Sequence, residues 1–396
     1  MTIYLNALGM ICSLGDTHAG IRQRLFAGDS GLHASERFLS AGIARTVGAI
    51  RLADEELPEA SHLPLRERSR NNRLALAALE RIRPEVDALI ARFGPDRIGI
   101  VLGTSTSGIA EGETAFRHYV AHGQFPAHFH YGQQELGSPA AALATTLGVS
   151  GPAYVHSSAC SSSAKAMASA ARLINMGLCD AVISGGVDTL CDFTVAGFAA
   201  LDSVSAERCN PLSANRHGIN IGEGAALFLM TAEPATVALC GWGESSDAHH
   251  ISAPDPEGKG AALAITQALQ RAAIAPEQID YINLHGTATL QNDAMESKAI
   301  HQLFGPATPV SSTKSFTGHT LGAASAIEAG LCWLTMQDDN PTGLLPPHLW
   351  DGQADPALPV LNVVHVGKAL GHPPRYVLSN SFAFGGSNAA LIFGRS

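Results

Sequence analysis

Val155-His-Ser-Ser-Ala-Cys-Ser-Ser-Ser-Ala-Lys-Ala-Met-Ala-Ser-Ala-Ala-Arg-Leu-Ile-Asn-Met-Gly177 reads as a strand end, one cysteine and then a helix. Met167, Ala170, Ala171 and Ile174 recur at helical spacing, and Gly177 sits where a helix stops. Cys160 therefore falls in the first helical turn or just before it. Unpaired N–H groups and the positive end of the helix dipole favour an anion there. The thiol is expected to fall from about 8.5 towards neutrality, which makes it a nucleophile. By itself a cysteine among alanines is as readily a small buried hydrophobe.

The second half of the chain decides between these readings. Leu284-His-Gly-Thr-Ala-Thr289 and Ser312-Thr-Lys-Ser-Phe-Thr-Gly-His319 each place polar groups after an expected strand. Cys160, His285, Lys314 and His319 form one constellation.

With 396 residues, 46% hydrophobic and only 15% charged, the chain is expected to form two domains or one duplicated fold with a large interior. A net charge of -10 argues against general nucleic-acid binding. No apolar run reaches the roughly 18 residues that a membrane span needs. The start, Met1-Thr-Ile-Tyr-Leu-Asn6, lacks the pattern of a secretory signal. Seven cysteines, an odd number without paired spacing, argue against zinc and against a disulfide framework, so a reducing cytoplasm is expected. Adjacent His249 and His250 point apart on a strand and find no third ligand, so no metal is expected there.

Ile3 to Leu14 reads as a first strand, Ala19 to Ala27 as a helix, and the acidic, Pro-bearing stretch from Asp54 to Pro64 as a surface excursion. Arg66, Arg68, Arg70 and Arg73 then precede a helix from about Leu74 to Arg83. In a chain with five lysines this cluster is either a solvated helix face or a dock for an acidic partner.

Ile98-Gly-Ile-Val-Leu-Gly-Thr-Ser-Thr-Ser-Gly108 is an apolar strand entering a small polar turn, and residues 279–291 repeat its shape, 183 residues on from Gly103 to Gly286. The cysteine segment has a counterpart in Pro309 to Gly330, and Ala181 to Asp188 has one in Val377 to Gly386. The order of the three matches is preserved. This predicts two related halves joined near residues 232 to 240, of which residues 1–235 carry the cysteine and 236–396 the histidines and Lys314. Apolar strands alternating with Ala-rich helices, such as Ala261 to Ala273 and Ala323 to Thr335, predict mostly parallel sheets in an α/β/α/β/α stack. Active residues then belong in the turns after the strands.

With these residues placed, the chain resembles the elongating β-ketoacyl-acyl-carrier-protein synthases, thiolase-fold condensing enzymes. The resemblance rests on Leu8-Gly-Met-Ile-Cys-Ser-Leu-Gly15, the cysteine segment, Ile221-Gly-Glu-Gly-Ala225, the His-Gly-Thr-x-Thr and Lys-x-x-x-x-His motifs, and Asn380-Ser-Phe-Ala-Phe-Gly-Gly-Ser-Asn388. It implies a duplicated five-layer thiolase-like fold and a decarboxylative condensation of malonyl-carrier with a cysteine-bound acyl chain. In that scheme Cys160 is the nucleophile, His285 and His319 hold the enolate oxygen, and Lys314 is a buried cation held by Glu328. Phe384 is the gating residue, and its N–H joins that of Cys160 as an oxyanion hole. Thr287, Thr289 and Ile109 are implied as substrate-binding positions.

Acyl carrier protein is the implied partner, docked by Arg66, Arg68, Arg70 and Arg73 with help from Arg208. No cofactor is implied beyond the carrier's phosphopantetheine. A dimer is implied, with itself or with a second synthase-like chain, the Ala181 to Leu190 stretch extending a sheet across the interface. A degradative thiolase would need a second cysteine in the C-terminal Gly-rich loop, and the initiating synthases use Asn where His319 stands. A Cys-His hydrolase would leave the second histidine and Lys314 without a task. Asp293 and Glu296 are expected as helix-start carboxylates. Leu290, where the family commonly has proline, and the divergent Cys209 to Gly218 segment point to a specialised lipid, polyene or polyketide pathway rather than housekeeping elongation.

Overall fold

A computed structural model describes residues 1–40 and 43–396. The first half contains β1 (Ile3–Cys12), α1 (His18–Ala27), a small hairpin of β2 (His33–Ser40) and β3 (Ile43–Val47), α2 (Arg70–Glu80) and α3 (Arg83–Phe93). It continues with β4 (Ile98–Gly103), α4 (Ile109–His122), α5 (Ser138–Leu147), β5 (Ala153–His156), α6 (Ser162–Asn175), β6 (Ala181–Asp188), α7 (Asp192–Ala200) and β7 (Gly224–Thr231). The second half runs through β8 (Val237–Ser246), α8 (Lys259–Ala272), β9 (Tyr281–Asn283), α9 (Leu290–Phe304), β10 (Pro309–Ser311) and α10 (Lys314–Thr317). It ends with α11 (Ala324–Thr335), β11 (Asn362–Val363), β12 (Tyr376–Ala383) and β13 (Ser387–Arg395).

The two halves carry the same sheet. Its order is β1-β7-β6-β4-β5 in the first and β8-β13-β12-β9-β10 in the second, with β11 added at the edge. The pairing senses also match. In each half the first two pairs are antiparallel and the last two parallel. Ile3 and Tyr4 pair with Leu239 and Ala238, which joins the halves edge to edge. The sheets are thus evenly mixed and not mostly parallel. Part of the reason is that β12 and β13 are linked by a turn at Phe384-Gly-Gly386, too short for a parallel crossover.

Helices α2, α3 and α5 cover the outer face of the first sheet and α8 with α9 that of the second, while α6 and α11 lie between the two and touch both. Sequence dictates that position. Helix α6 is built of Ser and Ala on its buried faces, and every residue of α11 except Trp333 is buried. A helix packed on two sides at close range tolerates only small side chains at the contacts. β6 is buried throughout and lies between β4 and β7. The Ala181 to Leu190 stretch therefore cannot extend a sheet across an interface. The free edge of the first sheet is β5.

Gly103, at the end of β4, shows how close α6 comes: a Cβ there would sit 2.3 Å from the Ser163 nitrogen. We expect Gly103→Val to push the start of α6, and with it Cys160, off the sheet. Overpacking of this kind costs about 1–3 kcal/mol, to be read from the urea midpoint. An unchanged midpoint would contradict the close-packed central layer.

Candidate active site

Cys160 sits on the turn between β5 and α6, two residues before the first helical residue. Ala159 has φ 50°, and the turn is held by Ser158 N–H donating to Ser162 Oγ at 2.9 Å and by Ser325 Oγ of α11 donating to the Cys160 carbonyl at 2.9 Å. The thiol is 6% exposed. Burial pushes it up to about 11, against the pull of the Lys314 charge and of the N–H groups of Phe384 and Cys160, both of which face the sulfur. The expectation of a near-neutral thiol is overturned: desolvation outweighs the helix start, and the resting group is a thiol.

His319 follows α10 and is clamped by backbone. Its N–H donates to the Asn220 carbonyl at 2.7 Å, and its own carbonyl accepts from Gly222 N–H at 2.9 Å. Its Nε2 stands 2.9 Å from Cys160 Sγ, and its Nδ1 accepts from Leu321 N–H at 3.3 Å. His285 ends the strand β9 and is pinned by Glu296, which accepts from the His285 and Gly286 N–H groups at 2.8 and 2.7 Å. Its Nδ1 lies 3.3 Å from Lys314 Nζ, and Lys314 is ion-paired with Glu328 in a fully buried pair. The two rings are 5.4 Å apart at 85°.

Donors at both Nδ1 atoms fix the tautomers. Each imidazole then carries its proton on Nε2, and His319 presents an N–H, not a lone pair, to the sulfur. Burial and then the Lys314 charge hold both histidines well below their ordinary value, so both are neutral. Burial raises Glu328 to about 7, with Lys314 pulling down. The ligand atoms of Cys160, His285 and His319 lie within 4.8 Å of one another. A metal there would have to displace a proton from each Nε2 onto an Nδ1 that already faces a donor, so the donor set does not fit one.

A chamber of about 30 Å³ touches Cys160, His285 and His319, and an outer cleft of about 1250 Å³ lies beyond it. Phe384, with its ring 5.8 Å from that of Phe198, lines both. Thr287 and Thr289 line the chamber with their hydroxyls 2.9 Å apart. Ile109 opens α4 and lines neither space. Arg208 lines the outer cleft with Arg45.

The remaining arginines correct the docking expectation. Arg70 is bound by Glu223 at 2.5 Å and by Asp54 at 2.6 Å. Arg73 donates to the carbonyls of Asp54, Leu57 and Pro58, and Arg68 to those of Ser61 and Leu63. These three fasten the acidic excursion to the body. Arg66, paired with neighbouring Glu67, and Arg68 both stay exposed. Asp293 falls in the first turn of α9, as expected of a helix-start carboxylate, and both it and Glu296 are buried and accept from loop N–H groups. The His250 ring accepts from the N–H groups of Ser252 and Ala253 in an exposed turn.

Sequence reasoning passed over Asp188. Its buried carboxylate accepts from the Ser105, Thr106 and Ala323 N–H groups and the Thr104 and Thr106 hydroxyls, tying β6 to the turn beside His319. The signal is a lone carboxylate at the end of an otherwise uncharged strand, Ala181-Val-Ile-Ser-Gly-Gly-Val-Asp188.

A buried thiol facing two imidazole N–H groups, at the centre of a duplicated five-layer α/β/α/β/α fold, defines a thiol-dependent condensing acyltransferase of the thiolase-like class. Residues 5–235 match the N-terminal domain of β-ketoacyl synthase and residues 236–349 its C-terminal domain. The 3-oxoacyl-[acyl-carrier-protein] synthase 2 of Vibrio cholerae is 30% identical over 99% of each chain. Nodulation protein E of Rhizobium leguminosarum bv. trifolii is 31% identical over 99% of this chain and 98% of the relative. Among solved structures, a ketosynthase (ApeO) of Xenorhabdus doucetiae, in complex with its chain length factor (ApeC), is 47% identical with a TM-score of 0.92 over 100% of this chain and 98% of that one. The chain belongs to the β-ketoacyl synthase family. It is an acyltransferase that joins malonyl-carrier to an acyl chain, with loss of carbon dioxide, to give a 3-oxoacyl-carrier.

With the Cys160 thiol raised to about 11, thiolate is scarce at neutral pH. Alkylation by iodoacetamide should climb about tenfold per pH unit between roughly pH 7 and 10, without a plateau. A plateau near pH 7 would mean that the helix start wins over burial.

Proposed function

We propose that Cys160 carries the acyl chain, that His285 and His319 hold the enolate, and that Lys314 and Phe384 complete the centre. The observation that carries this reading is the convergence of Cys160 with two neutral histidines, His319 Nε2 standing 2.9 Å from the sulfur and a His285 ring nitrogen within 4.8 Å of it. In the first half-reaction Cys160 sulfur attacks the acyl thioester. The new C–S bond forms as the carrier's breaks, and the thiol proton ends on the departing carrier thiol. Malonyl-carrier then enters. Its bond to the carboxylate breaks, carbon dioxide leaves, and the electron pair becomes an enolate whose oxygen accepts from both Nε2–H groups.

The enolate carbon attacks the acyl-cysteine carbonyl, and the N–H groups of Cys160 and Phe384 receive the oxyanion. Collapse forms the 3-oxoacyl-carrier and frees the Cys160 thiolate, which takes a proton from water. Lys314 donates to His285 Nδ1 and keeps its proton on Nε2, while Glu328 compensates the Lys314 charge. Thr287 and Thr289 stand where an entering arm passes. No metal or prosthetic group is required beyond the phosphopantetheine of the carrier. Residues 1–235 supply the nucleophile and 236–396 the histidines and Lys314.

The outer cleft admits the carrier's arm, with Arg45 and Arg208 at its wall for the phosphate and the acidic carrier. The greater likeness to a ketosynthase solved with a chain length factor than to synthase 2 enzymes favours a specialised pathway and pairing with a synthase-like chain. The free edge of β5 and the exposed Phe116, Tyr119 and Val120 of α4 supply surface for such a partner. Among the described residues no helix is long and apolar enough to cross a membrane, and the seven cysteines are free, which fits the cytoplasm.

Cys160→Gln should abolish condensation yet still release carbon dioxide from malonyl-carrier. His319→Ala should lower that release by roughly two to three orders of magnitude, the cost of one enolate donor, while acyl transfer to Cys160 persists in intact-mass spectra. Loss of both activities in folded His319→Ala would refute the division of labour.

Light scattering of the chain co-expressed with a chain length factor should give about twice the 41.2 kDa of one chain. An active monomer would overturn the pairing.

A further inference from the structure

On the side of the nucleophile turn away from the histidines, α6 reaches the loop that carries Phe384. Lys165 Nζ donates to Ser387 Oγ at 2.6 Å, Ser387 and Ser161 hydroxyls are 3.0 Å apart, and Ser161 Oγ donates to the Ser158 carbonyl at 2.8 Å. Lys165 has only donors, and of the acceptors near Ser161 Oγ, the Ser387 and Ser158 hydroxyls at 3.0 and 3.2 Å and the Ser158 carbonyl at 2.8 Å, only the carbonyl cannot itself donate, so one proton order satisfies every group. Ser387 donates to Ser161, and the chain runs Lys165, Ser387, Ser161, Ser158 with each hydroxyl both donating and accepting. It brackets Cys160, whose neighbour is Ser161. Ser387 follows Phe384 by three residues, and Gly385 and Gly386 between them have φ 83° and 72°, a backbone free to swing. The far side of the same loop is fastened by Asn388 Nδ2 donating to Asp247 Oδ1 at 2.7 Å and by Asp247 N–H donating to the Gly386 carbonyl at 2.8 Å. Ser387 lines neither the chamber nor the cleft, so it is no second nucleophile.

We propose that Lys165 and Ser387 are positioning residues, a tether that holds the Phe384 loop closed against the nucleophile turn and so sets both the Phe384 N–H and access to Cys160. The chamber beside the sulfur holds about one water in this state. An acyl chain enters only when the Phe384 ring leaves, and a tether that shares Ser161 with the nucleophile turn couples that opening to the geometry of the sulfur. Half-buried Lys165 makes a charge-assisted bond, the kind whose loss shifts a two-state loop most. The catalytic part of this inference rests on the role given above to the Phe384 N–H, whereas the access part does not.

The test uses Ser387→Ala, Lys165→Met and the hydroxyl-keeping Ser387→Thr in the full chain, with Cys160 alkylation by iodoacetamide and condensation kinetics measured together. Ser387→Ala and Lys165→Met should each alkylate about tenfold faster at fixed pH, with unfolding midpoints near wild type. Condensation kcat should fall about tenfold with KM for malonyl-carrier within about twofold, and Ser387→Thr should restore both. Alkylation within about twofold of wild type in both Ser387→Ala and Lys165→Met would overturn the tether. Faster alkylation with unchanged kcat would uphold the tether and locate the fault in the assignment of the Phe384 N–H. Lys165→Met keeps the inference exposed even if a Ser387 variant does not fold.

Discussion

Two imidazoles can offer N–H groups to one buried sulfur only if something else donates to their far nitrogens. Much of the second half is arranged to meet that constraint. For His319 the donor is a backbone N–H, from Leu321, whose turn is fixed by Asp188 through Ala323. For His285 it is Lys314, a cation that burial would expel without a counter-charge. Glu328 supplies that charge from α11, the helix that also steadies the Cys160 carbonyl through Ser325. Removing either member of such a pair costs about 3–5 kcal/mol, because the survivor is left uncompensated. One helix therefore serves the nucleophile and the base-free histidine pair at once.

The duplicated fold makes this possible. Helices α6 and α11 occupy equivalent places in their halves and meet between the two sheets, so the nucleophile turn of one half faces the histidines of the other. The site is the seam of the duplication. Its dryness follows from the same packing. That dryness raises the thiol and lowers the imidazoles, so the resting centre is uncharged at the sulfur and at both rings. In the proposed mechanism charge at the sulfur develops only during reaction, beside the Phe384 and Cys160 N–H groups that face it.

Much of this was legible in the chain. Strand-turn motifs recurring in the same order reveal the duplication, the four residues Cys160, His285, Lys314 and His319 stand out by their places after strands, and Glu328 follows from the family resemblance. Features that depend on distant partners were not legible. Arg70 reads as a surface cation until Glu223, 153 positions away, is folded against it. The helix-start rule for Cys160 is local, while desolvation is a property of the whole interior, so the local rule gave the wrong direction. An apolar strand such as β6 looks the same at an edge as at a centre, because periodicity records burial and not neighbours.

The 30 Å³ chamber adjoins the 1250 Å³ cleft along a boundary that includes the Phe384 ring, and that has a chemical consequence. An enolate is quenched by any proton source, and an acyl-cysteine by water, so a condensing site must be open for loading and dry for bond formation. In the proposed mechanism the oxyanion N–H belongs to the residue whose ring lines the barrier, so moving Phe384 aside for a substrate also moves that donor away from Cys160, and its return brings back the donor and excludes water together. The glycines that follow it grant the swing, and the side chains of Ser387 and Asn388 define where the swing ends.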